Sequence, residues 1–295
     1  MKNRGFKIVM IVLIVSFFNM YGSSIKKKDI CRYDSGKVKE EGFKENGKRV
    51  GKWKLWHENG KLESTGIFIK GKPDGEWKYY HKNGKLLSKR TFLNGKRVGE
   101  WKDYYDNGAL ELQFYYKKNM LQGKMKGWFI NGKIKKEGMW KDGKKTGEWK
   151  YYYPDGVLKS RGSYVNNMSE GKWILYSEKG KCLFTMFFKN NKPNGTKITY
   201  YETGEIMNKG DYLDGKKNGK WIHYYKNKKI KLIEEYKNNK KDGHFISYSD
   251  KGIKIMEGHY KNDVKIGKWI TYDLDGKPAY EEDIKPKTSK KESNK

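Results

Sequence analysis

Glycine stands at positions 51, 75, 99, 123, 147, 171, 195, 219, 243 and 267, a step of 24 residues held without a slip over ten copies. A fixed period of this length marks a repeat architecture, in which one small unit cannot bury its own apolar side and is stabilised by stacking on its neighbours. Counting each of these glycines as position zero, position 5 is aromatic in all ten copies and position 17 in the first nine. All ten tryptophans fall at position 2, 5 or 17. The best-formed copies are anchored by Gly51, Gly75, Gly99, Gly147, Gly171, Gly219 and Gly267. Their position 2 is Trp53, Trp77, Trp101, Trp149, Trp173, Trp221 and Trp269, and their position 5 is Trp56, Tyr80, Tyr104, Tyr152, Tyr176, Tyr224 and Tyr272. A half copy from Tyr33 to Val50 precedes them, with Gly36, Gly42 and Gly47 in phase.

The turns decide what each copy folds into. Positions 8 and 9 read Asn59-Gly60, Asn83-Gly84, Asn107-Gly108, Asn131-Gly132, Asp155-Gly156 and Asp275-Gly276. These dipeptides accept positive φ at both central residues of a type I′ turn, so each copy is expected to be a β-hairpin closed by a two-residue loop. Segments such as Asn94-Gly95-Lys96 then return the chain to the next copy. With positions 8 and 9 as the loop, paired positions sum to 17, which sets Trp53 across from Gly66, Trp149 across from Gly162, and the position-17 ring across from the anchor glycine. A ring laid over its facing glycine is the expected covering device. On this register one face collects the position-2 tryptophans, the position-17 rings and the aliphatics Leu62, Leu86, Leu110, Ile134 and Leu158, and position 5 points the other way unless a bulge intervenes. The fold class is all-β: an elongated, single-layer antiparallel hairpin array of about ten repeats, on the order of 100 Å long at about 4.8 Å per strand.

The domain plan follows. Residues 1–24 carry Lys2, Arg4 and Lys7, an apolar run from Ile8 to Phe18, and the small residues Gly22, Ser23 and Ser24. That pattern reads as a secretory signal, too short for a spanning helix; an uncleaved N-terminal anchor is the alternative. Residues 25–32 are expected to be a linker, 33–280 the array, and 281–295 a disordered charged tail. The expected location is therefore outside the cytoplasm: periplasm, envelope or secreted.

Hydrophobic residues make up 35% of the chain, and 45 of its residues are aromatic (10 Trp, 23 Tyr, 12 Phe), so the aliphatic supply for a conventional core is thin. With 34 glycines and 5 prolines neither collagen nor a Pro-rich linker fits, and 15% aromatic content is too rich for a disordered polycation. The two cysteines, Cys31 and Cys182, exclude a disulfide scaffold and lie about six copies apart, too far to bond within one chain.

Catalytic patterns fail one by one. Gly-x4-Gly-Lys at Gly42, Gly66, Gly138 and Gly210 imitates a phosphate loop, but Arg49, Pro73, Lys145 and Lys217 follow where Ser or Thr is needed, and no helix succeeds them. His57, His81, His223, His244 and His259 have no zinc-ligand spacing; three of them stand where other copies carry tyrosine. No nucleophile elbow occurs. The expectation is no catalytic residue, no metal, no cofactor and no small-molecule substrate. Formal net charge is +31, from 66 basic and 35 acidic residues. Lysines concentrate in turns (Lys61, Lys85, Lys96, Lys133, Lys144, Lys216), where solvent is their default partner and where they discourage sheet aggregation. Aromatic-basic alternation also suits an anionic lipid or glycan surface and, less well for an exported chain, nucleic acid. An outer-membrane barrel is disfavoured by lysines inside the strands, Lys54, Lys78, Lys102 and Lys150.

The unit Gly-Glu-Trp-Lys-Tyr-Tyr-x-x-Asn-Gly-Lys-Leu at Gly75 to Leu86, returning through the pattern seen at Gly210 to Lys216, resembles the MORN-repeat variant of the bacterial YwqK-type antitoxin family. The resemblance covers about residues 33 to 280. It implies a hairpin array that acts by binding a protein or a membrane without catalysis, in that family by neutralising a partner toxin. An exported protein-binding scaffold is the leading expectation, and an envelope protein docking on anionic lipid or glycan the alternative. Copies that break the pattern, at Met125, Lys197 and Phe245, are the expected places for a bend, a specific contact or a cleft.

Overall fold

The computed structural model describes residues 25–285, and over that span the chain is one open antiparallel sheet of 24 strands with no helix. Two strands per copy, such as Lys48–Trp56 and Leu62–Ile69 followed by Lys72–Tyr80 and Leu86–Leu93, lie side by side in chain order. The fold class expected from the period is the one found.

The array is longer than the sequence pattern suggested. The expected linker is the first strand, Lys27–Arg32, paired with Val38–Glu45. A turn at Tyr33–Lys37 needs an outgoing arm, and these residues supply it without the glycine and tryptophan that mark other copies. At the far end Glu281, Glu282 and Asp283, assigned to a disordered tail, belong to the last strand, Pro278–Ile284, because the tenth hairpin needs its return arm. The expected export segment, 1–24, and the remainder of the tail, 286–295, lie outside the described residues.

The type I′ turn stands at the other end of the copy from where it was expected. At the Asn-Gly turn, Gly60 N donates to His57 O and His57 N to Lys61 O, both at 2.8 Å, and of these turn residues Gly60 alone has positive φ, at +85°. This is a type I turn followed by a left-handed residue in a bulge, not the two-residue loop expected. The I′ geometry occurs at the other end of the copy, where both loop residues have positive φ: Lys70 +49° and Gly71 +81°, or Asn166 +51° and Asn167 +72°. Turn chemistry at positions 8 and 9 is compatible with either form, and the third loop residue decides.

Two bulges per copy set the faces. Within the hairpin, Leu55 pairs with Ser64 but Trp56 with Leu62, leaving Glu63 as the extra residue. Paired residues share a face, so the bulge moves Leu62 and its counterparts off the tryptophan face, to which the sequence reading had assigned them, and onto the face of position 5. Between copies, Glu41 pairs with Lys54 and Phe43 with Val50, so Gly42 alone faces Gly51, Lys52 and Trp53. Gly51 takes φ +68° to enter this bulge and has nothing within 4 Å of a Cβ added to it. Its role is backbone conformation, not the seat for a ring that the sequence reading gave it.

The tryptophans do cover glycine, but not the one they pair with. Trp77 lies on Gly66 of the preceding copy, where an added Cβ would sit 2.1 Å from the indole, although the strand partner of Gly66 within its own hairpin is Trp53. Trp53, Trp149, Trp173, Trp221 and Trp269 cover Gly42, Gly138, Gly162, Gly210 and Gly258 in the same way. The inter-copy bulge projects the ring backwards. In four of these six the indole N–H donates to the carbonyl after the glycine, as Trp53 to Phe43 O and Trp77 to Ile67 O, both at 3.2 Å, and Trp101 does the same to Thr91 O above Arg90. Trp53 and Trp149 are 0% and 1% exposed in a sheet only one layer thick. The core is a column of flat rings on one face.

Of the three irregular copies the fourth and seventh differ in backbone, whereas at Phe245 the strand Lys240–Tyr248 is unbroken. At Met125 and Lys197 the strand is broken into short pieces, Met120–Leu121 and Gly123–Trp128, and Lys192–Pro193 and Gly195–Tyr200. Where the ring is absent its seat is too: Phe114, Met186 and Glu234 stand at the glycine position before Met125, Lys197 and Phe245.

Candidate interaction surface

The tryptophan face is closed by its own residues. Position-17 rings meet the indoles edge-on, Phe68 with Trp77 at 5.0 Å and Tyr164 with Trp173 at 5.1 Å between centroids. A cation from position 22 then lies over the ring pair: Arg49 is 4.3 Å from Trp53, Lys145 4.5 Å from Trp149, Lys217 4.3 Å from Trp221 and Lys265 4.1 Å from Trp269. These cations cover the rings and satisfy their negative faces.

The long edge formed by the hairpin loops is tied from copy to copy. Residues at position 6 reach a carbonyl in the next copy: Tyr33 donates to Trp56 O at 2.7 Å, Tyr105 to Trp128 O at 2.8 Å, and His57 Nε2 lies 2.9 Å from Tyr80 O. Asn59 donates to Lys82 O, and the Lys61 ammonium to Asn83 O, both at 2.8 Å. Lys85 and Lys229 repeat the second bond. Three of the turn lysines read as solvated, Lys61, Lys85 and Lys133, are thus cross-ties between neighbouring loops. The regular recurrence of Lys at position 10 and of Tyr or His at position 6 was the signal for both ladders.

The opposite face is open, and it carries three rows across the strands. One alternates position 5 with position 11, Trp56 beside Leu62, Tyr80 beside Leu86, Tyr224 beside Ile230. The central row alternates positions 3 and 14 through unbroken strand pairing. In copies one to five position 3 is Lys54, Lys78, Lys102, Lys126 and Lys150; in copies six to ten it is Ile174, Ile198, Ile222, Ile246 and Ile270. With position 14 included, the first half of the row has seven cations and one acid, a net of +6, and the second half one cation and two acids, a net of −1. The third row, position 16, is mixed in the first half (Ile67, Thr91, Tyr115, Met139 and Ser163, with Phe43 before them), its exposed apolar members being Phe43 at 45%, Ile67 at 47% and Met139 at 38%, and it becomes Asp211, Glu235, His259 and Asp283 after Phe187.

Acids temper the lysines: Glu76 is 3.3 Å from Lys78, Glu100 2.7 Å from Lys102 and Glu148 3.4 Å from Lys150. The hydrogen bond from Lys102 holds the Glu100 carboxyl below its ordinary value. Burial, with a hydrogen bond to Glu137, pushes the Tyr152 hydroxyl up to about 12. Shallow recesses repeat along this half, one of about 220 Å³ lined by Gly42, Phe43, Lys52 and Lys54 and another of about 270 Å³ lined by Gly66, Ile67, Glu76 and Lys78. Among the described residues no three His, Cys, Asp or Glu side chains converge as metal ligands.

One buried group was not anticipated. Glu234, 5% exposed, occupies the glycine seat in the eighth copy. Lys241 lies 2.6 Å from it, Tyr236 donates to it at 3.0 Å, and the His223 ring is 3.6 Å away. Burial alone would raise its carboxyl, but interactions with His223, Lys241 and Tyr236 together hold it at about 2. The signal was there in the sequence: glycine and the next tryptophan are missing together.

The site residues named from the sequence divide between the faces. The anchor glycines shape the bulges, the position-2 tryptophans form the closed face, and the position-5 rings line the open one. The family model for the MORN repeat variant matches six segments, 49–70, 73–94, 97–118, 145–166, 193–214 and 217–238. No curated protein matches the chain in sequence. Among solved structures, TcdB2-TccC3 without its hypervariable C-terminal region is 11% identical with a TM-score of 0.19, over 85% of this chain and 14% of that one. TcdB2-TccC3-Cdc42 is 11% identical with a TM-score of 0.14, over 81% and 16%. A Photorhabdus luminescens Tc holotoxin pore is 9% identical with a TM-score of 0.19, over 87% and 15%. The chain therefore spans about one seventh of the length of the first of these.

Proposed function

We propose that this array, with its six matched MORN repeat variants, is a non-catalytic exported scaffold that binds a protein partner through the face opposite the tryptophan column. One observation carries the reading: one face is sealed by its own rings and cations, whereas the other presents an aromatic row with aliphatic partners in seven of the ten copies and exposed apolar neighbours. Flat, rigid, ring-rich surfaces of this kind suit protein contact, since aromatic side chains bring large area at small entropic cost. Neutralising a toxin is the specific form that the YwqK-type resemblance implies.

The lysine half supports a second reading, docking on an anionic lipid or glycan of the envelope. One experiment separates the two. Full-length protein and its Ile198→Lys, Ile222→Lys, Ile246→Lys triple variant are compared in affinity capture and in sedimentation with anionic vesicles over a salt series. The leading reading expects a protein captured by the parent and lost by the variant, with no salt-sensitive vesicle binding. Vesicle binding that survives the triple variant and fades with salt selects the other.

A further inference from the structure

The two outer strands of the sheet match each other. We propose that copies of this chain join head to tail, the last strand of one molecule, Pro278–Ile284, adding to the first strand of the next, Lys27–Arg32. Each of these strands pairs on one side among the described residues, and both are exposed over most of their length. An outer strand offers a row of backbone donors and acceptors to a further strand.

Phase supports the match. The first strand begins 24 residues before Gly51 and is an outgoing arm, and the last is the return arm of the tenth copy, so their junction continues the order of arms inside the array. Between copies the structure pairs position 14 with 3, 13 with 4, 16 with 23 and 17 with 22, as in Glu41 with Lys54, Glu40 with Leu55, Phe43 with Val50 and Lys44 with Arg49. Carried across the junction, that register sets Glu281 against Ile30, Tyr280 against Cys31, Asp283 against Lys26 and Ile284 against Ile25. Glu282 then faces the stretch Lys27 to Asp29, where the inter-copy bulge falls.

Charge supplies the direction. The outer segment Ile25–Arg32 holds four basic residues and one acid, a net of +3, while Pro278–Ile284 holds three acids and no base, a net of −3. Some of these are already paired inward, Asp29 with Lys44 at 2.9 Å and Glu281 with Lys268 at 2.7 Å, which leaves the asymmetry between the edges intact. Two first strands or two last strands repel each other, and unlike edges attract. A contact between different surfaces that does not close on itself grows as an open chain rather than stopping at a dimer. With one strand pair as its core the junction is small, hence dependent on concentration and weakened by salt.

The register names its own test. In full-length protein carrying Tyr280→Cys and Cys182→Ser, residue 280 stands directly opposite Cys31 of the next molecule, within disulfide reach. Mild oxidation at low salt should give a ladder of dimers, trimers and longer species on non-reducing electrophoresis, and the Cys182→Ser protein alone should give at most a dimer. In sedimentation velocity, Lys26→Glu with Lys27→Glu, and separately Glu282→Lys with Asp283→Lys, should each sediment as monomers with unchanged circular dichroism. Their equimolar mixture should recover the parent's larger species. A parent that is monomeric at low salt, as a terminal segment of its own chain lying on an edge would produce, overturns the proposal. A ladder ending at the dimer, or a mixture that fails to assemble, does so equally.

Discussion

Copies one to five and copies six to ten share a backbone but not a surface. The tryptophan column runs through both, with Trp53 on Gly42 in the first and Trp221 on Gly210 in the second. On the open face, the residue after each tryptophan position is lysine five times and then isoleucine five times. The contrast shows a division of labour in a single-layer sheet: the closed face and the turn ladders hold the fold, so the open face is free to change character halfway without a change of architecture.

That contrast can be tested by treating the halves identically. Trp77→Ala and Trp221→Ala should each cost about 3–5 kcal/mol of local stability, as for other buried tryptophans, read from urea midpoints or hydrogen exchange over the affected copies. Unequal losses would show that the halves differ in core as well as surface. Glu234 adds a pH dependence to the second half alone. Its carboxyl is held at about 2 against an ordinary 4.5, so its contribution is fully present above about pH 4.5 and lost as pH falls toward 2. On the order of 3 kcal/mol is at stake. Exchange around residues 230–248 should accelerate over that range, and Glu234→Gln should abolish the slope.

A smaller effect tests the ring seats. Gly66→Ala and Gly210→Ala force a methyl to within about 2.2 Å of an indole carbon and should each cost about 1–3 kcal/mol. Lys228, at φ +68° where other copies have glycine, should gain about 1 kcal/mol on replacement by glycine. Exchanging the surfaces should do least to the fold. Replacing Lys54, Lys78 and Lys102 by Ile should shift stability by no more than about 0.5 kcal/mol per site while removing any salt-sensitive affinity for anions from the first half.

Strands, turn positions and copy number were legible because glycine, Asn-Gly and ring positions report backbone needs directly, whereas the type of the Asn-Gly turn was not, since the same dipeptide serves both forms. The register was legible as far as the first bulge, and Gly51 opposite Phe68 and Trp53 opposite Gly66 both stand. Bulges were not: an extra residue such as Glu63 carries no mark of its own, yet it moves Leu62 across the sheet. The same gap explains the misplaced ring seats, since the bulge at Gly42 turns Trp53 toward the copy behind it. The end strands were missed because they lack the very residues that define the period. On the open face the switch from lysine to isoleucine was readable in the sequence, but its meaning depended on knowing that positions 3 and 14 form one row.

Because six indoles each roof a glycine of the copy before their own, the rod has an inherent sense, like overlapping tiles. Shortened from its C-terminal side, it would strip the shelter from a glycine and leave peptide bare to water. Shortened from the other side, it would strand a large ring with nothing beneath it. The native termini avoid both faults: Glu282 stands where the last uncovered glycine would be, and Asp29 where the first seatless tryptophan would be.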